Sequence, residues 1–335
     1  MSMATPATVR ANLWKLRLAM IGTFAVVTAV ATLLLLALFT WLGLPFFSLT
    51  GILVFVLFVH VLQWLFGPYL IDLVYRVREA PREMYPELYE MVENLARRSG
   101  LKKTPKVMIS SIGIPNAFAY GSPIAGYRVA VTRGILETVP AGELEAVLAH
   151  EVGHLKHKDI VVMLMVSMIP AIIYYIGYVL YISGWFGGYA RDRDERSTAL
   201  YLFAIGLALM FVSFLFNLFV FYISRLREYY ADAHAALSVK DGATKLQRAL
   251  VRIMYSTGAL RIRKGSYSQF KMFFIADPDK PLGWRYRARD IDELVEEVKR
   301  QKPSLLEELF STHPHPSKRL RNLDKYKLAY TYTLY

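Results

Sequence analysis

Five consecutive residues, His150-Glu151-Val152-Gly153-His154, carry the clearest chemistry in the chain. Residues four apart on a helix differ by about 40° in direction, so His150 and His154 project from adjacent turns toward one point, as a tetrahedral zinc ion requires. Glu151 is turned off that axis by one position, which lets its carboxylate reach a water held on the ion. Zinc lowers such a water's pKa to about 7, so Glu151 can take its proton and pass it to a leaving amine. That chemistry is amide hydrolysis.

A catalytic zinc needs a third protein ligand and one open position. With no cysteine in 335 residues, the ligand must be a His, Asp or Glu. The charge-free runs Ile160 to Ile182 and Ala199 to Ile223 read as a transmembrane hairpin, so the residues before the first and after the second emerge at one membrane face. His154 lies about 9 Å of helical rise before Ile160, and Glu228 about 8 Å after Ile223. Glu228 is therefore the expected third ligand, with one Zn2+ per chain. Asp232, one turn further on the same face, is expected to accept a hydrogen bond from a ligand imidazole.

The elements that must hold these groups are mostly apolar. Residues of hydrophobic type make up 55% of the chain, which points to an integral membrane protein. Leu18 to Leu42 and Leu49 to Ile71 are also charge-free and long enough to span, giving four transmembrane helices. The first run exceeds the roughly 7–15 apolar residues of a signal peptide and reads as a retained anchor. Arg10, Lys15 and Arg17 precede it, and Arg76, Arg78 and Arg82 follow the second run, while the turn at 43 to 48 has no charge. Both termini and the active site should accordingly face the cytoplasm. The net charge of +13 flanks the spans and suits anionic headgroups. No nucleic-acid-binding motif accompanies it, and no nucleic-acid partner is expected.

Four segments follow. Residues 1–74 form an N-terminal transmembrane hairpin (spans about 18–42 and 49–71), and 75–159 form a peptidase part with a small sheet and the motif helix. Residues 160–223 form the second hairpin, and 224–335 carry the third ligand and a tail. In the 75–159 block, Pro81 to Arg98 has a helical pattern. The runs at 106–110, 116–120 and 127–131 read as a small antiparallel sheet. The next helix begins near Pro140, and the helix of span 4 continues through Ser224 to Asp232. Much of 256–304 reads as loop, with one helix at Asp290 to Lys302. His157, His234 and His315 read as histidines of the membrane interface.

Together HEVGH at 150–154, SRLREYYAD at 224–232, NAFAYG at 116–121 and STHPHPSKRL at 311–320 resemble the HtpX-like membrane zinc metallopeptidases, gluzincins related to the Ste24 CAAX proteases. The resemblance implies an α-helical membrane protein with four transmembrane helices plus a cytoplasmic α+β gluzincin-type zinc peptidase domain. It also implies Glu228 as the third ligand and an edge strand at Asn116, Ala117, Phe118 and Ala119 that takes substrate as an added strand. His313, before Pro314 and with Arg319 at the family spacing, corresponds to a histidine near the reacting carbonyl. The activity implied is zinc-dependent endopeptidase cleavage of membrane or membrane-adjacent proteins at the cell membrane, in protein quality control. A Ste24-like processor of prenylated peptides and a non-catalytic metal-binding membrane adaptor are the alternatives. Four spans favour the first reading over the Ste24 type.

Overall fold

The computed structural model describes residues 46–187, 193–259 and 290–327. Its elements are α1 (Phe46–Val74), β1 (Val77–Glu79), α2 (Pro86–Arg98), β2 (Lys106–Ser110), β3 (Ala117–Ser122), β4 (Gly126–Thr132) and α3 (Arg133–Thr138). They continue with α4 (Ala141–Lys156), α5 (Asp159–Gly187), α6 (Arg193–Ser238), α7 (Gly242–Ala259), α8 (Ile291–Arg300), α9 (Leu305–Leu309) and α10 (Pro316–Leu323), before a 3-10 turn at Asp324–Tyr326. Among the described residues three stretches are long and apolar enough to cross a membrane: Val56–Val74, Asp159–Gly187 and Ser197–Ser238. The expected span at 18–42 lies outside the described residues.

The chain divides into two compact units. One contains Val161–Ile223 and the described residues before Leu65. Within it α5 and α6 approach closely through glycine: a Cβ on Gly177 would stand 2.9 Å from the Gly206 carbonyl oxygen. Small residues at such crossings bring helix backbones together in lipid, where apolar burial gives no drive of its own. Ser213 Oγ donates to the Pro170 carbonyl across the same pair at 2.8 Å.

The other unit comprises Leu65–Ile160 and the described residues from Ser224 onward. At its centre lies α4, whose Leu144, Val147, Leu148 and Val152 are buried in one apolar cluster with Leu88, Val92 and Leu95 of α2 and Leu246, Leu250 and Ile253 of α7. An interior helix covered on every side is apolar around most of its circumference. The polar His150 and Glu151 are therefore exceptions that require partners. Beyond the apolar run, α6 continues without a break to Ser238, which carries Glu228 and Asp232 on one rod.

The sheet corrects the antiparallel expectation. Its order is β1-β2-β4-β3, with β2 and β4 parallel and the two outer pairs antiparallel. β3 leaves β2 and returns as a hairpin with β4, so β4 takes the place beside β2 and β3 becomes an edge. β1, only three residues long, escapes periodicity analysis. The helix expected from Pro81 begins at Pro86, because proline suits the first helical turn and disfavours helix in the residue before it. Met84, counted in the expected stripe, lies outside the helix and is exposed. The helix expected at Asp290–Lys302 spans Ile291–Arg300, with the Asp290 side chain accepting from Asp292 N. Of the expected loop, 260–289 lies outside the described residues, while residues 256–259 close α7.

Candidate active site

The rings of His150 and His154 meet edge to face on adjacent turns of α4, with their Nε2 atoms 3.1 Å apart. From α6, Glu228 brings Oε2 to 3.7 Å from His150 Nε2 and Oε1 to 3.6 Å from His154 Nε2. On the far sides of the rings, Asp232 Oδ1 stands 3.0 Å from His150 Nδ1, and Asp159 Oδ2 stands 2.6 Å from His154 Nδ1. A carboxylate against each Nδ1 selects the tautomer protonated there. Each Nε2 then directs a lone pair toward the other and toward the Glu228 oxygens. Acceptors gathered in this way, buried, favour a positive charge among them; His313 Nδ1 and Arg319 Nη1 already approach Glu228 Oε2, which leaves Glu228 Oε1 and the two Nε2 atoms facing one another.

Glu151 also lies close, its ligand atom within 4.8 Å of those of the two histidines. One of its oxygens is already engaged, since Ala119 N donates to Oε2 at 2.8 Å. That bond ties the motif helix to the outer edge of β3. Burial pushes the Glu151 carboxyl above its usual range, against the pull of His154 and His150.

The site's charges come largely from α10 and the segment before it. Burial disfavours the Glu228 carboxylate, but His313 and Arg319 hold its pKa well below the ordinary value. His313 Nδ1 lies 3.2 Å from Glu228 Oε2, and Arg319 Nη1 lies 3.3 Å from the same oxygen. Arg319 is buried and grips Asp232, which together with His150 keeps the Asp232 carboxyl ionised despite its burial. Burial opposes charge on His154, and the Asp159 hydrogen bond more than offsets it, raising that pKa.

All the residues singled out by sequence lie in this unit. Asn116, Ala117 and Phe118 are buried, and the Phe118 ring packs between Tyr75 and Tyr120. Among the described residues no strand pairs with β3 on the side away from β4, and of its residues only Ala119, whose N–H meets Glu151, is more than slightly exposed. His234 is 9% exposed and bonded to Ser99 Oγ at 2.9 Å, an interior residue rather than one of the membrane interface. His157 bonds the Gly153 carbonyl at 2.7 Å, and His315 caps α10 through Ser317 N. Asp159 is not legible in the sequence, where it reads as an ordinary acid at a helix start, whereas Arg319 shows by its spacing from His313.

A polar centre of this kind, built on a helix that follows a small sheet and fed by a second helix leaving an apolar span, defines a membrane metallopeptidase. The profile of Peptidase family M48 matches residues 83–327. The protease HtpX homolog of Aeropyrum pernix is 47% identical over 313 residues, 92% of this chain and 95% of that one. The protease HtpX homolog of Thermoplasma volcanium is 41% identical over 276 residues, 82% of each chain. In the crystal structure of S. mikatae Ste24p the same fold recurs with a TM-score of 0.53 at 20% identity, covering 94% of this chain and 67% of that one. The chain belongs to peptidase family M48.

Proposed function

We propose that this chain is a multi-pass zinc endopeptidase of the cell membrane, with His150, His154 and Glu228 as the ligands of one Zn2+. The observation that carries the reading is the spacing of the three groups. Ligands at about 2.0–2.1 Å on a tetrahedral zinc stand about 3.3–3.4 Å from one another. The two Nε2 atoms are 3.1 Å apart, and each has one of the two Glu228 oxygens, Oε1 at 3.6 Å from His154 and Oε2 at 3.7 Å from His150, within a few tenths of an ångström of that figure. Bound there, zinc would act as a Lewis acid toward a water and a peptide carbonyl. Asp232 and Asp159 orient the two imidazoles through Nδ1.

Glu151 serves as general base and then acid, taking a proton from the attacking water and delivering it to the amine that leaves. Burial suits this role, since a raised pKa lets one carboxyl both accept and return a proton near neutral pH. The Ala119 bond aims its carboxylate along the β3 edge. A substrate peptide pairs with that edge through the backbone of Asn116 to Ala119, and His313 stands ready to donate to the carbonyl oxygen as negative charge develops there.

Arg76, Arg78 and Arg82 after the second apolar run support a cytoplasmic peptidase unit with both termini on the same side. The segments 1–74, 75–159, 160–223 and 224–335 are the corresponding functional parts. Substrates are membrane or membrane-adjacent proteins, misfolded ones among them, as a quality-control protease would require.

Replacing Glu151 with Gln in the purified full-length chain tests the reading. Loss of casein-like proteolysis with zinc retained is the expected result, and undiminished cleavage would overturn it. Offering wild type an unfolded membrane protein beside a prenylated peptide separates this reading from prenyl-peptide processing.

A further inference from the structure

The β3–β4 hairpin turns through Gly121-Ser122-Pro123-Ile124-Ala125-Gly126-Tyr127, a tip without a charge. Two hydrogen bonds define how it runs along α1. Tyr120 Oη donates to Asp72 Oδ1 at 2.6 Å, and Ser122 Oγ donates to the Leu65 carbonyl at 3.0 Å. Arg128, opposite Tyr120 on β4, pairs with the same Asp72 carboxylate. From Tyr120 to Ser122 the strand advances about 6.6 Å. Its partner on the helix meanwhile moves back seven residues, about 10.5 Å. The hairpin therefore lies alongside α1 and points away from Asp72.

That direction leads into the apolar run. Asp72 is the first charged residue beyond Ile71, and Leu65 sits about 9 Å inside it. At this level the uncovered side of α1 exposes Phe66 (56%) and Leu70 (62%), while the tip exposes Ile124 (54%). Such a helix face is bathed by hydrocarbon, and a side chain at the same level shares its solvent. Part of the tip's backbone is paired within the hairpin. Ser122 pairs with Gly126 across the hairpin, and Ser122 Oγ accepts from Ala125 N at 3.1 Å while donating to α1.

We propose that the tip of the β3–β4 hairpin is immersed in the hydrocarbon of the lipid bilayer, so that the β3 edge leads out of the membrane to Glu151. From Ser122 to Ala119, whose N–H meets Glu151, is about 10 Å of strand. Resting on the endopeptidase reading, the substrate is then an extended segment next to a membrane anchor, cut within about two residues of where it leaves the hydrocarbon.

Because the chain lacks cysteine, single sites can be labelled in the full-length protein. A fluorophore on Ile124→Cys, in phosphatidylcholine vesicles, should lose its emission to lipids carrying a nitroxide on the acyl chain and be untouched by iodide in the buffer. Lys103→Cys, in the exposed charged loop after α2, should show the reverse. Iodide quenching at position 124 equal to that at 103, with no effect of the nitroxide lipid, would overturn the proposal. For the substrate route, Ile124→Asp should keep cleavage of a soluble unfolded protein and lose that of a membrane-anchored peptide. Equal effects on both would overturn the route. A wild-type chain inert toward both substrates would sink the peptidase reading instead, while the quenching comparison still decides lipid contact.

Discussion

Arg319 closes on Asp232 with both sides of its guanidinium, Nε 3.0 Å from Oδ2 and Nη2 2.6 Å from Oδ1, while both residues are buried. Its third nitrogen lies 3.3 Å from Glu228 Oε2. One cation from α10 thus contacts two carboxylates on α6. Removing it as Arg319→Met leaves Asp232 buried without a permanent counter-charge and takes one from beside Glu228, and the expected loss is about 3–5 kcal/mol in denaturant-derived stability. Arg319→Lys should recover only part of this, since an ammonium cannot reproduce the two-pronged pairing. Equal midpoints for wild type and Arg319→Met would refute the assignment.

Asp159 and Asp232 each orient one imidazole from behind. Carboxylates in that position typically account for about 10–100-fold in metal affinity. Asp159→Ala should weaken zinc binding by that order in a chelator competition assay, with the same helical content by circular dichroism. An unaltered dissociation constant would show that His154 needs no such support.

How much of this was legible from residues alone depends on the distance over which each feature is specified. The side-by-side arrangement of His150 and His154 follows from their four-residue spacing on a helix, and Glu228 follows from the hairpin that returns the chain to one face. Both are consequences of local geometry plus one topological constraint. Strand order is not local: nothing in the alternation of 106–110 or 127–131 says that the two lie side by side and parallel, because the pairing is decided by which strand β3 leaves free. Likewise Arg319 on a short polar helix looks solvated until two carboxylates from another element bury it. His234 looked like an interface histidine for the same reason, since its burial depends on Ser99 and Gly153 arriving from separate helices.

Gly153, inside the motif, lies against that histidine. A Cβ there would approach the His234 Cβ and Cδ2 at 3.1 Å, tighter than ordinary contact. Gly153→Ala should gain helix propensity but force α4 and α6 apart, with a net destabilisation of about 1–3 kcal/mol. Thermal unfolding of the purified variant checks the sign. A raised melting temperature would mean that the ring moves aside freely.

His234 also sets an acid limit. Burial, followed by the charges of Lys156 and His157, pushes its pKa down to about 3 from an ordinary 6.5. Below 6.5 the unfolded chain binds a proton that the folded chain refuses until about 3. Its contribution is therefore complete above 6.5 and declines as the pH falls toward 3, by about 1.4 kcal/mol per pH unit. Urea midpoints at pH 7, 6 and 5 should fall less steeply for His234→Gln than for wild type. Parallel slopes would exclude this residue as the source.

The convergence of His150, His154 and Glu228 on one divalent ion is tested most directly by zinc content. The full-length chain and its Glu228→Ala variant should be compared by elemental mass spectrometry after dialysis against a weak chelator. Wild type should retain one zinc per chain and the variant almost none. A variant that keeps a full equivalent would contradict the ligand set.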